Sequence, residues 1–164
     1  MAEALIFSGK ELAFLRALLG NKVEFMLVGL SAATLQGAPV VTQDVDLWVK
    51  DLADPAFHRA IKAVGGTYVP PFQHHPPALA GAALELFDLV VNMTGLGSFD
   101  EERKFCVKIQ LENIQVPVLK LERIIQSKRA ANRPKDKLVL PVLEDVLVAT
   151  EAIKRPTKKG RRTL

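Results

Sequence analysis

Three aspartates are the residues of this chain whose type and placing could do chemistry. Asp44 and Asp46 stand two apart in DVDLWVK, residues 44–50, where polar and apolar side chains alternate. Read as a strand, the segment sends Asp44, Asp46 and Trp48 to one side and Val45, Leu47 and Val49 to the other. Two carboxylates that close repel, and each prefers to keep its proton unless a cation lies between them. Mg²⁺ takes carboxylate oxygens readily. Asp88 interrupts a long, largely apolar run, LELFDLVVNM, residues 84–93, which reads as a central strand. An ionised carboxylate in a sheet centre is costly unless paired or metal-bound. If that strand lies beside residues 44–49, three carboxylates converge at one end, the arrangement of a two-metal site for phosphoryl transfer. A structural reading stands beside this one. D-x-D is common at solvent-facing strand positions, and Asp88 can be a strand-end residue paired with Lys128 or Arg129.

The elements that must position these residues follow from patterning. Ser8 with Glu11 forms a capping-box pattern, with Phe7 before it as a staple. Leu12, Leu15, Leu18 and Leu19 then share one helical face, so residues 8–19 read as a helix. VEFMLVG, residues 23–29, suits a buried strand. A short helix is expected from Ser31 to Gln36, closed at Gly37, and another from Asp54-Pro55 to about Val64. Residues 67–82, rich in Pro, His, Gly and Ala, read as a loop. VKIQLENIQVPVL, residues 107–119, predicts a hairpin turning at Glu112-Asn113. Two helices close the chain, from about Leu121 to Ala131 and from about Asp136 to Lys154. Pro141 should kink the second or mark a misplaced start. The order predicts one α/β (α+β) domain over residues 1–153, a mixed sheet with flanking helices and a helical C-terminal pair.

The net charge of +4 is unevenly spread. Residues 154–164, KRPTKKGRRTL, hold six of the 22 basic residues and none of the 18 acidic ones. The remaining 16 basic and 18 acidic residues give residues 1–153 a net charge of −2. The segment 154–164 has little to bury and is expected to be a disordered basic tail, either a solubilising one or one that meets nucleic acid through phosphates. No apolar run approaches the roughly 20 residues of a membrane span. No basic leader precedes the first apolar residues, and the single cysteine, Cys106, excludes an internal disulfide. These features point to a cytoplasmic protein that does not enter a membrane.

Other chemistry-bearing residues have plainer readings. Cys106 lies in the apolar stretch KFCVKI and reads as a buried, inert thiol. His74-His75, between Gln73 and Pro76-Pro77, reads as a solvated loop pair, since no Cys or third His is near in sequence. Lys128, Arg129, Arg133 and Lys135 form the basic cluster of the folded body. Read by themselves they are a solvated helix end, helped by the C-terminal dipole. Trp48 reads as packing under a helix rather than stacking on a base.

The stretch VGLSAATLQGAPVVTQDVDLWV, residues 28–49, resembles the signature of the DNA polymerase beta-like nucleotidyltransferases. More narrowly, it is similar to the small bacterial group related to abortive-infection nucleotidyltransferase toxins, which connects it with toxin–antitoxin systems. That pattern is a strand into a glycine turn (Val28-Gly29), a short helix, a second glycine (Gly37), then Thr42-Gln43-Asp44-Val45-Asp46. The third carboxylate matches Asp88. The stretch VPVLKLERIIQSKRAANRPKDKLVLPVLE resembles the C-terminal part, and the likeness covers roughly residues 20–150. It departs at Leu30, where a small residue is usual, and at Val40-Val41, where a basic residue is common. The resemblance implies a nucleotidyltransferase-like fold and a transferase dependent on Mg²⁺. Asp44, Asp46 and Asp88 would be its metal ligands and catalytic groups, and Gly29, Ser31 and Lys128 would contact the nucleotide. It would move a nucleoside monophosphate from a nucleoside triphosphate to an unknown hydroxyl acceptor on a small molecule, a protein or an RNA. The alternatives are a nucleotide-binding module that transfers nothing, suggested by Leu30 and the absent basic residue, and a nucleic-acid-associated protein acting through residues 154–164.

Overall fold

The computed structural model describes residues 7–154. The expectations for the basic tail concern, beyond Lys154, residues outside that range. The first helix, α1 (Gly9–Gly20), starts where the sequence places it. The Glu11 carboxylate accepts from the Ser8 backbone N–H at 2.7 Å and from the Ser8 hydroxyl at 2.6 Å, which satisfies donors that a helix start leaves free. Then follow β1 (Phe25–Val28), α2 (Gly29–Leu35), β2 (Val45–Val49) and α3 (Pro55–Ala63), capped by Asp54 accepting from the Ala56 N–H. After β3 (Thr67–Val69), β4 (Ala78–Ala80) and β5 (Phe87–Val90), the chain makes α4 (Phe99–Glu102) and the hairpin β6 (Cys106–Leu111) and β7 (Ile114–Leu119). It ends in α5 (Leu121–Ala131) and α6 (Pro134–Lys154).

Five strands form one mixed sheet in the order β5-β2-β1-β7-β6. β1 runs antiparallel to β2 and parallel to β7, β2 runs parallel to β5, and β6 and β7 are the expected antiparallel hairpin. All four residues of β1 are buried, as befits a central strand covered on both faces. Phe14 of α1 meets Phe87 of β5 edge to face at 5.0 Å, in a core shared with Leu15, Leu27, Leu47 and Phe57. Trp48 is buried and meets Phe99 edge to face at 5.7 Å, the packing role expected of it.

Three expectations are corrected. The run 84–93 is not a central strand: only Phe87–Val90 is strand, and it forms an edge of the sheet. An apolar run reports that both faces are covered but not how many strands lie beside it, and here Ala82–Leu84 turns as a 3-10 helix with Leu84 fully buried. Residues 67–82 are not all loop, since β3 and β4 pair antiparallel as a small separate sheet. The last helix begins two residues before Asp136 and runs on past Pro141 to Lys154. The proline's missing N–H leaves only the carbonyl of exposed Lys137 without its helical donor.

Gln36 ties the two halves of the fold together. Its Nε2 donates to the Leu119 carbonyl at 2.8 Å and to the Ala32 carbonyl at 3.0 Å, and its Oε1 accepts from the Leu121 N–H at 2.9 Å. The end of α2 is thereby fixed to the junction of β7 and α5. Gln36→Ala strands a carbonyl and the first N–H of α5, and is expected to cost about 1–3 kcal/mol. Urea denaturation of the two proteins measures this; equal midpoints would show that the link does not matter.

Candidate active site

The parallel pairing of β2 with β5 sets Asp46 directly opposite Asp88, and the antiparallel pairing of β2 with β1 sets Asp46 opposite Val28. Asp44 lies just before β2 rather than within it. The three carboxylates therefore sit at neighbouring positions near one end of two adjacent strands. They do not share one environment. Asp44 and Asp88 are exposed, and Asp46 is half-buried. The costly carboxylate is thus Asp46, on an interior strand, and not Asp88, whose edge position leaves it in water. Among the described residues, no three His, Cys, Asp or Glu side chains are gathered as ready ligands of one ion. Like charges at this spacing repel one another.

Charge and burial act together on Asp46. Burial raises its carboxyl most, the Asp88 charge adds to this, and Asp44 adds less, while Lys128 and Lys135 oppose; the result is a value of about 6. Asp88 is also raised, first by burial and then by Asp44. The two groups hold their protons more tightly than free carboxylates, first because of burial and then because of the like charges beside them.

Gly29 makes this arrangement possible. It follows β1 directly and has φ +68°, a left-handed conformation that side chains disfavour. A Cβ there would overlap Asp46 Oδ2 and stand 3.0 Å from Asp46 Cγ. The Asp46 carboxylate thus occupies the space that the missing side chain leaves. Ser31 supports the same residue from below. Its buried hydroxyl donates to the Val28 carbonyl at 3.0 Å and accepts from the Asp46 backbone N–H at 3.3 Å. The Ser31 side chain is therefore committed to joining α2, β1 and β2. Leu30 packs against the core.

A cavity of about 460 Å³ opens beside Asp46, lined by Val28 and Gly29 on one side and by Lys128 and Arg133 from the α5–α6 corner on another. Asn92, Met93 and Thr94, after β5, complete it. That loop approaches α5 closely because Gly95, at φ +77°, sits against Ala130. The basic cluster read from the sequence splits here. Lys128 and Arg133 face the cavity and pair with Asp136, whereas Arg129 pairs with Glu144. Lys128 does not reach Asp88. Asp136 lies in the stretch that resembles the family's C-terminal part, but its pairing with both cations was not legible there, nor were Asn92 and Thr94 as lining residues. The remaining candidates stay apart from this site: His74 and His75 are exposed in the small hairpin, and the Cys106 thiol, raised to about 11 by burial, stays protonated at neutral pH.

The five-stranded mixed sheet with flanking helices is the α/β class expected from the order of elements. No protein-family model matches the sequence, and no curated protein matches it. Among solved structures, the chain is similar to the solution structure of the antibiotic-resistance factor ANT(2'')-Ia, with TM-score 0.57 and 14% identity over 87% of this chain and 88% of that one. It is also similar to the crystal structure of ANT(2'')-Ia in complex with adenylyl-2''-tobramycin, with TM-score 0.54 and 16% identity over 85% and 91% of the two chains. Identity this low establishes the shared fold. The narrower likeness to abortive-infection toxins is carried by the sequence pattern alone. Among the described residues, no helix is long and apolar enough to cross a membrane.

Two substitutions test this geometry without any substrate. Because the folded-state value of Asp46 is raised from 3.8 to about 6, its contribution to stability is fully present below about pH 4 and is lost as pH rises through 6. The loss is on the order of 3 kcal/mol. Asp46→Asn does not titrate, so without divalent metal it should melt higher than wild type at pH 7–8, with the gap closing toward pH 4. A variant that melts lower than wild type at pH 7–8 would refute the like-charge account. Gly29→Ala adds left-handed strain and a clash with Asp46, and should lose about 2 kcal/mol or more in chemical denaturation; an unchanged stability would show that the close approach is not real.

Proposed function

We propose that the protein is a metal-dependent nucleotidyltransferase, moving a nucleoside monophosphate from a nucleoside triphosphate to a hydroxyl acceptor. The observation that carries this reading is the register that sets Asp46 against Asp88 beside the glycine turn, in a nucleotidyltransferase fold. The donor set fits a hard divalent cation: all three side chains are carboxylates, and Asp46 is raised first by burial and then by the charges of the other two. Asp44 and Asp46 would hold Mg²⁺ against the triphosphate, with Asp88 completing the set. Bound there, the ion would offset the charge of the phosphates and of the departing pyrophosphate.

The chain's own residues then have distinct parts. Asp88, at the open edge of the sheet, is placed to take the proton of the acceptor hydroxyl, and its raised value makes it the better base. The acceptor oxygen bonds to the α-phosphorus as the bond to the β-phosphate oxygen breaks, and pyrophosphate leaves. Gly29 leaves room at the turn, and Lys128 meets the phosphates in the cavity. Ser31 contributes by fixing Asp46, since its hydroxyl is already engaged. Leu30, which suggested a module that binds without transferring, packs into the core and does not line the cavity. Its placing supports transfer, while the absent basic residue at Val40-Val41 still motivates the binding-only reading. The solved relative holds an adenylylated aminoglycoside, which favours a small-molecule hydroxyl as acceptor. A protein hydroxyl and an RNA end are the other acceptors this reading allows. The nucleic-acid reading of residues 154–164 gains no support from residues 7–154.

Incubation with each labelled nucleoside triphosphate, Mg²⁺ and either an aminoglycoside panel or cell lysate should give label transfer. Asp88→Asn should lower kcat by roughly 10²–10⁴-fold while triphosphate binding is retained. Transfer that is indifferent to Asp88→Asn would remove Asp88 from the chemistry. A folded protein that binds no nucleoside triphosphate would overturn the reading as a whole.

A further inference from the structure

The corner between α5 and α6 is built around one carboxylate. Asp136, the third residue of α6, is wholly buried. Its Oδ1 accepts from Lys128 Nζ at 3.3 Å and from Arg133 Nη2 at 3.2 Å. Its Oδ2 accepts from Arg133 Nε at 2.7 Å and from the Arg133 backbone N–H at 3.1 Å. Lys128 comes from the last turn of α5 and Arg133 from the link into α6, with Asn132 in a left-handed conformation at φ 51° between them. Burial alone would raise the Asp136 carboxyl, but the bonds from Arg133 and then from Lys128 outweigh it and hold it down to about 2. Asp136 is therefore charged at every working pH.

This carboxylate offsets only one of its two partners' charges, so the trio keeps a net charge of +1. Lys128 commits one of its three donors to Asp136, and the Arg133 guanidinium commits two of its five. The remaining donors belong to side chains that line the same cavity as Gly29 and Asp46. Free Lys and Arg side chains lose about 2 kcal/mol of rotamer freedom each when an anion fixes them. Here Asp136 has fixed them already. Fold maintenance alone would not require both cations to face the cavity; Arg129, one residue from Lys128, pairs away from it with Glu144.

We propose that Asp136 is a positioning residue, holding Lys128 and Arg133 as a preformed seat for the terminal phosphates of the donor triphosphate. The inference rests on the nucleotidyl-transfer reading and gives that site its polyphosphate anchor.

The test is calorimetric titration of inorganic tripolyphosphate into the full chain and into Asp136→Asn, with kcat and KM for the nucleoside triphosphate measured alongside. Removing a negative charge beside two cations should tighten anion binding if only net charge matters. The seat predicts the opposite: tripolyphosphate binds at least tenfold more weakly and KM rises in step, while kcat stays close to wild type. Equal or tighter binding by folded Asp136→Asn overturns the proposal, as does a wild-type chain that does not bind tripolyphosphate. If Asp136→Asn does not fold, Lys128→Met and Arg133→Gln decide, because each leaves Asp136 one cation. Each should weaken tripolyphosphate binding about tenfold, and unchanged affinity in both overturns the seat. The two readings fail separately. A wild-type chain that binds tripolyphosphate but transfers no label loses the transferase reading alone. One that transfers label with an unaltered KM in Asp136→Asn loses the seat alone.

Discussion

The contact on which the site depends is the approach of the Asp46 carboxylate to Gly29. Central strands are normally apolar on both faces, and a carboxylate on one of them must find either a partner or an opening. β2 supplies the opening by lying antiparallel to β1, so that Asp46 falls opposite the last residue of β1, where the chain turns into α2. The turn residue has no side chain and a left-handed backbone, and the carboxylate fills the gap. Ser31, two residues on, takes up the Asp46 N–H and locks the turn to the strand. A half-buried acid, a glycine and a serine thus form one unit, in which each residue type is required by its neighbour.

The second wall of the cavity is held at a distance by hydrogen bonds rather than by apolar packing alone. Gln36 joins the end of α2 to the start of α5, so the helix carrying Lys128 is indexed to the helix that follows Gly29. Further on, Asp136 gathers Lys128 and Arg133 across the α5–α6 corner. The third wall, residues 92–94, is anchored by the chain that follows it. Gly95 packs on Ala130, and the buried Glu102 accepts from the Gly97 N–H while pairing with both arms of Arg123 of α5. Buried charges in these links are all bonded; among the described residues, no buried side-chain nitrogen or oxygen lacks a partner. Such fully satisfied networks fix geometry even where their net contribution to stability is modest.

Electrostatically the site is divided. The acidic group at the ends of β2 and β5 faces basic groups supplied by the α5–α6 corner and by Lys135, and Asp46 feels both. A nucleoside triphosphate with a divalent cation carries both signs of charge, and a cavity with carboxylates on one side and fixed cations on another matches it. The exposed salt links elsewhere, such as Lys50 with Glu24 and Asp100, lie at the other end of β2 and hold α4 against the sheet.

The sequence by itself determined the local parts. The capping pair Ser8 and Glu11, the two-residue alternation that runs from Asp46 through β2, the turn at Glu112-Asn113 and the packing role of Trp48 all follow from contacts within a few residues or from strand period, which patterning reports directly; Asp44 falls just before the strand. Tertiary structure decided the rest. Whether Asp88 lies at the centre or the edge depends on strand order, which an apolar run does not encode; the edge position moved the burden of burial from Asp88 to Asp46. The small hairpin of β3 and β4 was hidden by its prolines and histidines, because its pairing is short and largely exposed. Asp136 stood in the stretch that resembles the family's C-terminal part, with no partner assigned to it. Arg133 meets Asp136 locally, three residues away, and only the packing of α5 against α6 brings Lys128 onto the same carboxylate.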